Sequence, residues 1–325
     1  MSSTAAPSHP NRRPDGSPRG SLGSRVSFAA VIVAAFTALA WADGVGFLGA
    51  APSWWLLPVA AAVAVGCVEE LAGLFVRRGI RTPTGLLRPA VTAVALSAAL
   101  GTQAFVATHG SASPAAAMGW PAVVTTVALF AACGAEVIGY GRRDGTLERL
   151  AVSGFTLVLV GLPLACMVSL RLLCVENLGP EQRAAGHLGL VPLVSLIACV
   201  KAGDIAAYVV GSLVGRHRMA PTLSPGKTWE GAAASLAGAV FAAWLTLAWW
   251  RPEGIVGPWG GWPLYGAAVG LAGMVGDLAE SLLKRECGVK DSGRALGGLG
   301  GFLDLVDSLL CAAPVAWILW VAGTP

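Results

Sequence analysis

Charged residues are scarce in this chain: Asp, Glu, Lys and Arg make up 12% of its 325 residues. Histidine occurs four times, and no H-E-x-x-H pattern is present. The seven cysteines show no C-x-x-C spacing, and most lie in apolar runs, where cysteine serves as a small apolar filler. These absences leave no basis for predicting a zinc site.

What the chain has in abundance is apolar residues. Hydrophobic residues make up 55% of it, and its mean hydropathy is +0.68. Nine apolar runs are long enough to cross a hydrocarbon core of about 30 Å. We therefore predict an all-α polytopic membrane protein with about nine transmembrane helices. The runs cover residues 27–48, 54–76, 89–108, 119–140, 151–170, 188–211, 230–250, 262–283 and 301–322.

Arginine and lysine alternate from one connection to the next. Eighteen of the 22 lie in the N-terminal tail and the even-numbered connections, and three lie in the odd-numbered connections. Because positive residues collect on the cytoplasmic side of membrane proteins, the N-terminus is predicted to be cytoplasmic and the C-terminus to be outside. The same bias explains the net charge of +4, so the charge gives no reason to expect nucleic acid as a partner.

Three regions follow from this pattern. Residues 1–25, rich in Ser, Pro, Gly and Arg, are predicted to form a disordered cytoplasmic tail. Residues 26–187 form the N-terminal transmembrane helices, of which the first is interpreted as a retained helix rather than a signal peptide. Residues 188–325 form a transmembrane region with cytoplasmic loops, and this region carries the catalytic candidates.

The sixth apolar run contains Lys201, Asp204 and Tyr208, whose spacing places them on one face of a helix. A Lys–Asp pair inside a membrane has two explanations. It either neutralises itself inside a bundle for structural reasons, or it lines a polar cavity. We favour the cavity, because three nearby glycines permit close approach of backbone or ligand.

Residues 224–231 read S-P-G-K-T-W-E-G at the start of the seventh run. The Pro-Gly pair is predicted to make a turn, and Ser224 or Thr228 to cap the helix that follows. Lys227 beside a helix N-terminus suits a phosphate, although a lysine next to a tryptophan is equally often a membrane anchor. The G-K-T tripeptide resembles the end of a P-loop, but Pro221 occupies the position of its first glycine, so no P-loop is predicted.

The eighth run ends in a polar stripe on an otherwise apolar helix: Asp277, Glu280, Ser281 and Lys284 recur at i, i+3, i+4 and i+7. An acid about two turns inside the membrane boundary is costly unless a cation or a metal ion meets it. The structural alternative is a buried acid paired with a lysine. Asp291, in the following loop, could approach Asp277. Two carboxylates around Mg²⁺ with nearby lysines suit a nucleoside triphosphate.

A glycine-rich loop and two further acids follow. Residues 297–301 read G-G-L-G-G, a sequence that lets backbone pass close to a ligand. Asp304 and Asp307 then lie three residues apart on one face of the last predicted helix. They could complement the helix dipole, but we favour a place in the site.

Three more acids lie late in the second and fourth runs, close to the arginines of the connections that follow. We interpret them as structural partners of arginines such as Arg77 and Arg142. They are Glu69, Glu70 and Glu136.

Taken together, these blocks resemble the phosphatidate cytidylyltransferase (CDP-diacylglycerol synthase) family. The family pattern S-x-x-K-R-x4-K-D-x-[GSA], followed by P-G-H-G-G and D-R-x-D, is matched at Ser281, Lys284, Arg285, Lys290, Asp291, Gly293, Gly298, Gly300, Gly301, Asp304 and Asp307. A second pattern, D-x-x-A-Y-x-x-G-x-x-x-G, is matched at Asp204, Ala207, Tyr208, Gly211 and Gly215. A third, S-P-x-K-T-x-E-G, is matched at Ser224, Pro225, Lys227, Thr228, Glu230 and Gly231.

The chain departs from the family pattern at three positions. The proline and histidine before the second glycine pair are Gly297 and Leu299, and the arginine after the first late acid is Leu305. A proton carrier at position 299 is therefore not available. Because phosphoryl-type transfer depends on positioning and charge stabilisation more than on a dedicated base, an active variant is still expected.

The resemblance implies a nucleotidyltransferase of phospholipid biosynthesis that transfers CMP from CTP to phosphatidate, giving CDP-diacylglycerol and pyrophosphate. It implies Mg²⁺ as cofactor, with room for a second cation, and we also consider a homodimer. The implied catalytic residues are Asp277, Lys284, Arg285, Lys290 and Asp291. The implied substrate-binding residues are Asp204, Tyr208, Ser224, Lys227, Thr228, Glu230, Ser281, Gly300 and Gly301. The implied metal ligands are Asp277, Asp291, Asp304 and Asp307.

The resemblance places the protein in the cytoplasmic membrane with its active site facing the cytoplasm. Three alternatives stay open. A CTP-dependent kinase of a polyprenol or another lipid would direct the attack to the γ-phosphorus, and the K-R-x4-K-D block argues against it. An ion-coupled transporter would use Lys201, Asp204 and Asp277, but no internal repeat is visible and the acids collect at one face. The third alternative is a non-catalytic relative.

Overall fold

The computed structural model describes residues 22–47, 54–109, 114–141, 144–176, 189–249, 256–289, 292–293 and 300–323. Within these ranges the chain is a helical bundle with one short hairpin. The helices are α1 Leu22–Gly44, α2 Leu57–Arg77, α3 Thr84–His109, α4 Pro114–Gly139, α5 Thr146–Thr156, α6 Leu162–Glu176, α7 Val191–Val214, α8 Trp229–Trp244, α9 Gly261–Glu286 and α10 Phe302–Gly323. A π-helical turn, Leu157–Gly161, joins α5 to α6, and a second, Leu245–Trp249, extends α8.

Eight helical segments of the described chain are long and apolar enough to cross a membrane, which confirms an all-α polytopic membrane protein. They are Leu57–Arg77, Thr84–Thr102, Met118–Gly139, Thr146–Leu173, Val191–Val214, Trp229–Trp249, Gly261–Glu286 and Phe302–Gly323. They correspond to the second through ninth predicted runs. The first predicted run falls on α1, whose apolar part, Ala30–Gly44, is shorter than the other eight.

Two of the spans begin five residues earlier than predicted, at Thr84 and at Thr146. Their first turns are polar, so hydropathy alone misses them. Each first turn is stabilised by an ion pair with the preceding helix. Arg88 pairs with Glu69, and the buried Arg149 donates from Nε to Glu136 Oε1 at 2.8 Å. The predicted pairing of these two acids with arginines is confirmed, although with different arginines from those named.

The helices pack around two cores. The N-terminal core joins α2, α3, α6 and the first π-helical turn, and the C-terminal core joins α6 to α10. In the C-terminal core, Tyr265 and Trp320 are fully buried with ring centroids 6.3 Å apart, and the Tyr265 hydroxyl lies 2.9 Å from Ser195 Oγ. Helix α10 contributes to both cores: Leu303 and Leu310 pack in the N-terminal core, and the second half of the helix packs in the C-terminal core.

A two-stranded antiparallel hairpin connects α7 to α8. It consists of β1, Arg218–Ala220, and β2, Ser224–Thr228, and residues 221–223 form its turn. The prediction of a turn at the Pro-Gly pair is wrong, because Pro225 and Gly226 lie inside β2. The Arg218 guanidinium donates to the Pro225 carbonyl oxygen across the hairpin, which holds that pair extended, and Pro221 takes the turn position that proline favours.

Candidate functional site

A polar cavity of about 880 Å³ lies between α7, the hairpin, α8, α9 and α10. Charged side chains are scarce in the chain as a whole, yet this cavity gathers five acids and four cations. They are Asp204, Asp277, Glu280, Asp304 and Asp307, with Lys201, Arg218, Lys227 and Lys284. A concave site with convergent polar groups is the default place for ligand binding and chemistry.

Helix α7 supplies one wall of the cavity. Lys201, Asp204 and Tyr208 all line it, as their helical spacing predicts, and Lys201 Nζ lies 3.4 Å from Asp204 Oδ2. The wall continues through Gly211 and Gly215 toward the hairpin. The Lys–Asp pair therefore faces a polar cavity rather than the interior of a closed bundle.

Close packing of α7 against the hairpin and α8 needs glycine. A Cβ on Gly215 would lie 2.7 Å from Thr228 Oγ1, and a Cβ on Gly231 would lie 3.0 Å from the Ala207 carbonyl oxygen. The distance at Gly215 is too short for carbon, and at Gly231 the α7 backbone would have to shift, so glycine favours the close packing at both positions. The glycines thereby bring the end of β2 against the cavity wall of α7.

Thr228 ends β2 and begins α8. Its Oγ1 accepts a hydrogen bond from Gly231 N at 3.1 Å, so Thr228, rather than Ser224, is the N-cap that the sequence left open. The residue before it, Lys227, projects across the cavity, where its Nζ lies 2.8 Å from Asp277 Oδ2 on α9. Arg285, near the end of α9, donates from Nε to the Leu223 carbonyl oxygen at 3.1 Å and so ties the hairpin turn to α9.

Three residues of the predicted polar stripe on α9, Asp277, Glu280 and Lys284, line the cavity, and Ser281 does not. Lys284 Nζ lies 2.8 Å from Glu280 Oε2 on its own helix and 2.9 Å from Asp304 Oδ1 on α10. Gly276 allows α10 to approach this face, because a Cβ there would lie 2.7 Å from the Asp307 carbonyl oxygen. Glu280 and Lys284 of α9 thus lie beside Asp304 and Asp307 of α10, where the two helices pack closely.

The first turn of α10 is held from two sides. Asp304 Oδ2 accepts a hydrogen bond from Gly301 N at 2.8 Å, next to Gly300, whose φ of +96° favours glycine. On the other side, Glu70 of α2 accepts from Phe302 N at 2.7 Å and from Leu303 N at 2.8 Å. A carboxylate at a helix N-terminus satisfies N–H groups that have no partner within the helix.

Among the described residues, Glu70 forms no ion pair with an arginine, and the predicted partner Arg77 does not contact it. The Glu70 side chain also accepts from Ser292 Oγ at 3.2 Å, so it connects α2 to the loop between α9 and α10. This loop and α10 follow Glu70 by more than 200 residues in the chain. No local pattern in the sequence signals a contact over such a separation.

Three carboxylates form a candidate metal centre. Asp277, Glu280 and Asp307 each place one carboxylate oxygen within 4.8 Å of the others. Glu280 is buried, and its Oε1 has no hydrogen-bond partner among the described residues. An unpartnered buried carboxylate oxygen beside two further carboxylates suits a hard divalent cation such as Mg²⁺, which prefers oxygen ligands.

The metal ligands implied by the resemblance are only partly brought together. Asp277 and Asp307 meet, whereas Asp304 is turned to Lys284 and Gly301 N, and Asp291 lies outside the described residues. Glu280 takes the third position of the cluster. Its place three residues after Asp277 on the polar stripe was the signal that could have identified it.

The other predicted site residues divide into those that line the cavity and those, Ser224, Glu230 and Ser281, that do not. Thr228 and Gly300 line it, together with the charged residues already described. Glu230 pairs with His217, its Oε1 2.6 Å from the ring Nδ1, and Ser281 is half-buried on α9. Ser224 lies opposite Ala220 in the hairpin. Lys290, Gly297 and Leu299, like Asp291, lie outside the described residues.

Comparison with known proteins supplies an independent finding. A phosphatidate cytidylyltransferase of Mycobacterium bovis is 38% identical over 170 residues, which is 52% of this chain and 50% of the relative. Those of Brucella suis and of Synechocystis sp. are 42% identical over 132 residues and 38% identical over 142 residues. These two alignments cover 40% and 42% of this chain, and 47% and 45% of the relatives. The chain thus spans about half the length of the curated relatives it matches.

The match to a family pattern extends much further along the chain. Residues 23–322 match the pattern of the cytidylyltransferase family. That range contains all ten helices except the first residue of α1 and the last of α10, and the whole cavity. The chain belongs to the cytidylyltransferase family.

Proposed function

We propose that this protein is a phosphatidate cytidylyltransferase, which transfers CMP from CTP to phosphatidate and releases pyrophosphate. One observation carries the proposal: three carboxylates that suit a divalent cation share one polar cavity with Lys227 and Lys284. Membership of the cytidylyltransferase family and the names of the relatives support the same reaction.

The carboxylate cluster and the lysines have different roles in binding the nucleotide. Asp277, Glu280 and Asp307 would hold Mg²⁺, which, when bound, screens the negative charge of a triphosphate. Lys227 and Lys284 are each paired with a carboxylate at 2.8 Å. When CTP binds, their ammonium groups can turn to the β- and γ-phosphates and stabilise the charge that develops on the leaving pyrophosphate.

The opening of the cavity suits a lipid substrate. Tyr208 lines the cavity and is 77% exposed, and the apolar Ile205 and Val209 beside it on α7 are exposed as well. In a membrane this surface faces acyl chains. Phosphatidate can therefore place its phosphate in the cavity while its acyl chains remain in the bilayer.

The reaction then needs one bond made and one broken. An oxygen of the phosphatidate phosphate attacks the α-phosphorus of CTP in line, and the bond from that phosphorus to the bridging oxygen breaks as pyrophosphate leaves. The attacking phosphate is already largely ionised near neutral pH, so the absence of histidine at position 299 does not remove a required base. The residues of the cavity act by positioning and by stabilising charge.

We place the active site at the cytoplasmic face of the cytoplasmic membrane. Arg218, Lys227, Lys284 and Arg285 lie at the hairpin and at the adjoining end of α9, in connections that the positive-inside pattern assigns to the cytoplasm. This placement gives the cavity access to CTP from the cytoplasm.

The test is conversion of phosphatidate and labelled CTP by the purified full-length chain in detergent micelles, with and without Mg²⁺. We expect Mg²⁺-dependent CDP-diacylglycerol from CTP labelled at the α-phosphorus, and its loss in Asp277→Asn. Asp144→Asn, a change at an exposed acid before α5, is the matched control and should retain activity. Transfer of label from the γ-phosphorus to lipid would instead identify a kinase. Binding of CTP with Mg²⁺ without any product would identify a non-catalytic relative.

A further inference from the structure

Lys201 is a cation at membrane depth that the mechanism above does not use. It precedes Val214, the last residue of α7, by 13 residues, so it lies about 20 Å along the helix axis from the hairpin end. Lysine is costly at such depth and generally has a task there. Among the cavity residues of α7, Lys201 is the farthest from the hairpin.

The contacts of Lys201 place its ammonium group next to the backbone of α10. Lys201 Nζ donates to the Leu305 carbonyl oxygen at 3.2 Å, between the positions of Asp304 and Asp307 in the same helix. Position 305 is where the family pattern has an arginine, and this chain has leucine. The Leu305 side chain packs against the N-terminal core and does not line the cavity. Lys201 therefore brings a positive charge to the backbone of α10 on the side that faces the cavity.

Lys201 also retains capacity to bind a ligand. Its pairing with Asp204 is long, at 3.4 Å, whereas Lys227 and Lys284 each pair with a carboxylate at 2.8 Å. Its side chain lines the cavity and is 38% exposed, against 14% for Lys284. An ammonium group has three N–H donors, and the two contacts of Lys201 use two of them.

We propose that Lys201 binds a phosphate oxygen of the substrate at the inner end of the cavity. This inference rests on the proposed function. The phosphate belongs either to phosphatidate or to CTP, and both present the same chemistry to an ammonium group. A charge-assisted hydrogen bond from Lys201 fixes that phosphate beside the carboxylates of α9 and α10.

The test compares Lys201→Gln with Lys201→Arg in the full-length protein. Glutamine can keep the hydrogen bond to Leu305 but has no charge, whereas arginine keeps both. We expect Lys201→Gln to lower kcat/KM by roughly 10- to 100-fold, as for loss of a charged hydrogen bond, and Lys201→Arg to retain most of the activity. Arg216→Met removes an exposed cation outside the cavity lining and should leave kcat/KM unchanged.

Separate titrations identify the source of the phosphate. A rise in KM confined to phosphatidate assigns Lys201 to the lipid, and a rise confined to CTP assigns it to the nucleotide. Equal kcat/KM values for Lys201→Gln and the unmutated protein would overturn the proposal, since charge would then be irrelevant. An equal loss in Lys201→Gln and Lys201→Arg would also overturn it, because the role would then be one of packing.

A binding measurement separates failure of this inference from failure of the proposed function. If the unmutated protein forms no CDP-diacylglycerol, its thermal stabilisation by phosphatidate, and by CTP with Mg²⁺, is measured beside that of Lys201→Gln. A smaller stabilisation of the variant by one of these ligands supports phosphate binding by Lys201 without turnover. Equal stabilisation of both proteins by both ligands overturns it.

Discussion

Glu280 is the residue on which the candidate metal centre depends most. It is the most buried of the three clustered carboxylates, and one of its oxygens has no partner among the described residues. Its other oxygen binds Lys284 at 2.8 Å, so the same side chain would connect a metal ion to a phosphate-binding lysine. Ligands supported in this way are held in one orientation.

We therefore predict that Glu280→Gln raises the Mg²⁺ concentration needed for half-maximal activity by roughly 10- to 100-fold. The amide keeps the size of the side chain but loses the charge that attracts the ion. A Mg²⁺ titration of activity, together with calorimetry of Mg²⁺ binding, measures the effect. Glu148→Gln, at an exposed acid of α5, is the control. An unchanged titration in Glu280→Gln would exclude Glu280 from the metal centre.

For single residues, the sequence predicted which side chains share one face of a helix, but it did not predict contacts between helices that lie far apart in the chain. Helical spacing placed Lys201, Asp204 and Tyr208 on one wall of the cavity. The spacing of Asp277 and Lys284 likewise placed both on one stripe. The capping of α10 by Glu70 was not predictable, because an interaction over more than 200 residues depends on how whole helices pack.

Among the elements, α10 depends on α2 for its start. We predict that Glu70→Ala lowers the free energy of unfolding by about 2 kcal/mol, because it leaves the N–H groups of Phe302 and Leu303 without an acceptor. Glu69→Ala is the matched control: its ion pair with Arg88 is exposed, so the loss should stay below about 1 kcal/mol. Denaturant unfolding in detergent measures both. Equal losses would show that the cap contributes nothing beyond a surface ion pair.

The approach of α9 to α10 depends on one glycine. A Cβ at Gly276 would lie 2.7 Å from the Asp307 carbonyl oxygen, whereas the nearest atom to a Cβ at Gly273 would be 3.6 Å away. We predict that Gly276→Ala forces the two helices apart, separates Asp277 from Asp307 and abolishes most of the cytidylyltransferase activity. Gly273→Ala, one turn away on the same helix, should leave that activity within about twofold of the original, since 3.6 Å is an ordinary contact. Comparable activity in both variants would contradict this explanation of the contact.

The helices were predictable and their fine structure was not. Hydropathy located all eight full-length spans, because apolar length is what a bilayer selects. It missed the polar first turns at Thr84 and Thr146, which depend on ion pairs. It also gave no sign of the β1–β2 hairpin, whose register depends on contacts such as that of Arg218 with the Pro225 carbonyl oxygen.

For the molecule as a whole, the prediction that most needs a test is orientation in the membrane. In a variant without native cysteines, Arg81→Cys lies in the connection between α2 and α3, and Trp259→Cys lies two residues before α9. We expect an impermeant maleimide to label Trp259→Cys in intact cells and Arg81→Cys only after the cytoplasmic face is exposed. The opposite pattern would place the cavity outside and contradict the proposed access of CTP.

The contribution of α10 to both cores has a consequence for biogenesis. The ribosome makes α10 after all the other described helices. Until α10 is inserted, the apolar surfaces that it covers in the N-terminal and C-terminal cores therefore remain without their packing partner. Asp304 and Asp307 arrive with it, and before then Lys284 and Asp277 have no partner on that side. A nascent chain therefore passes through every earlier stage without a complete carboxylate cluster. Closure of the bundle and assembly of the carboxylate cluster therefore become a single late event.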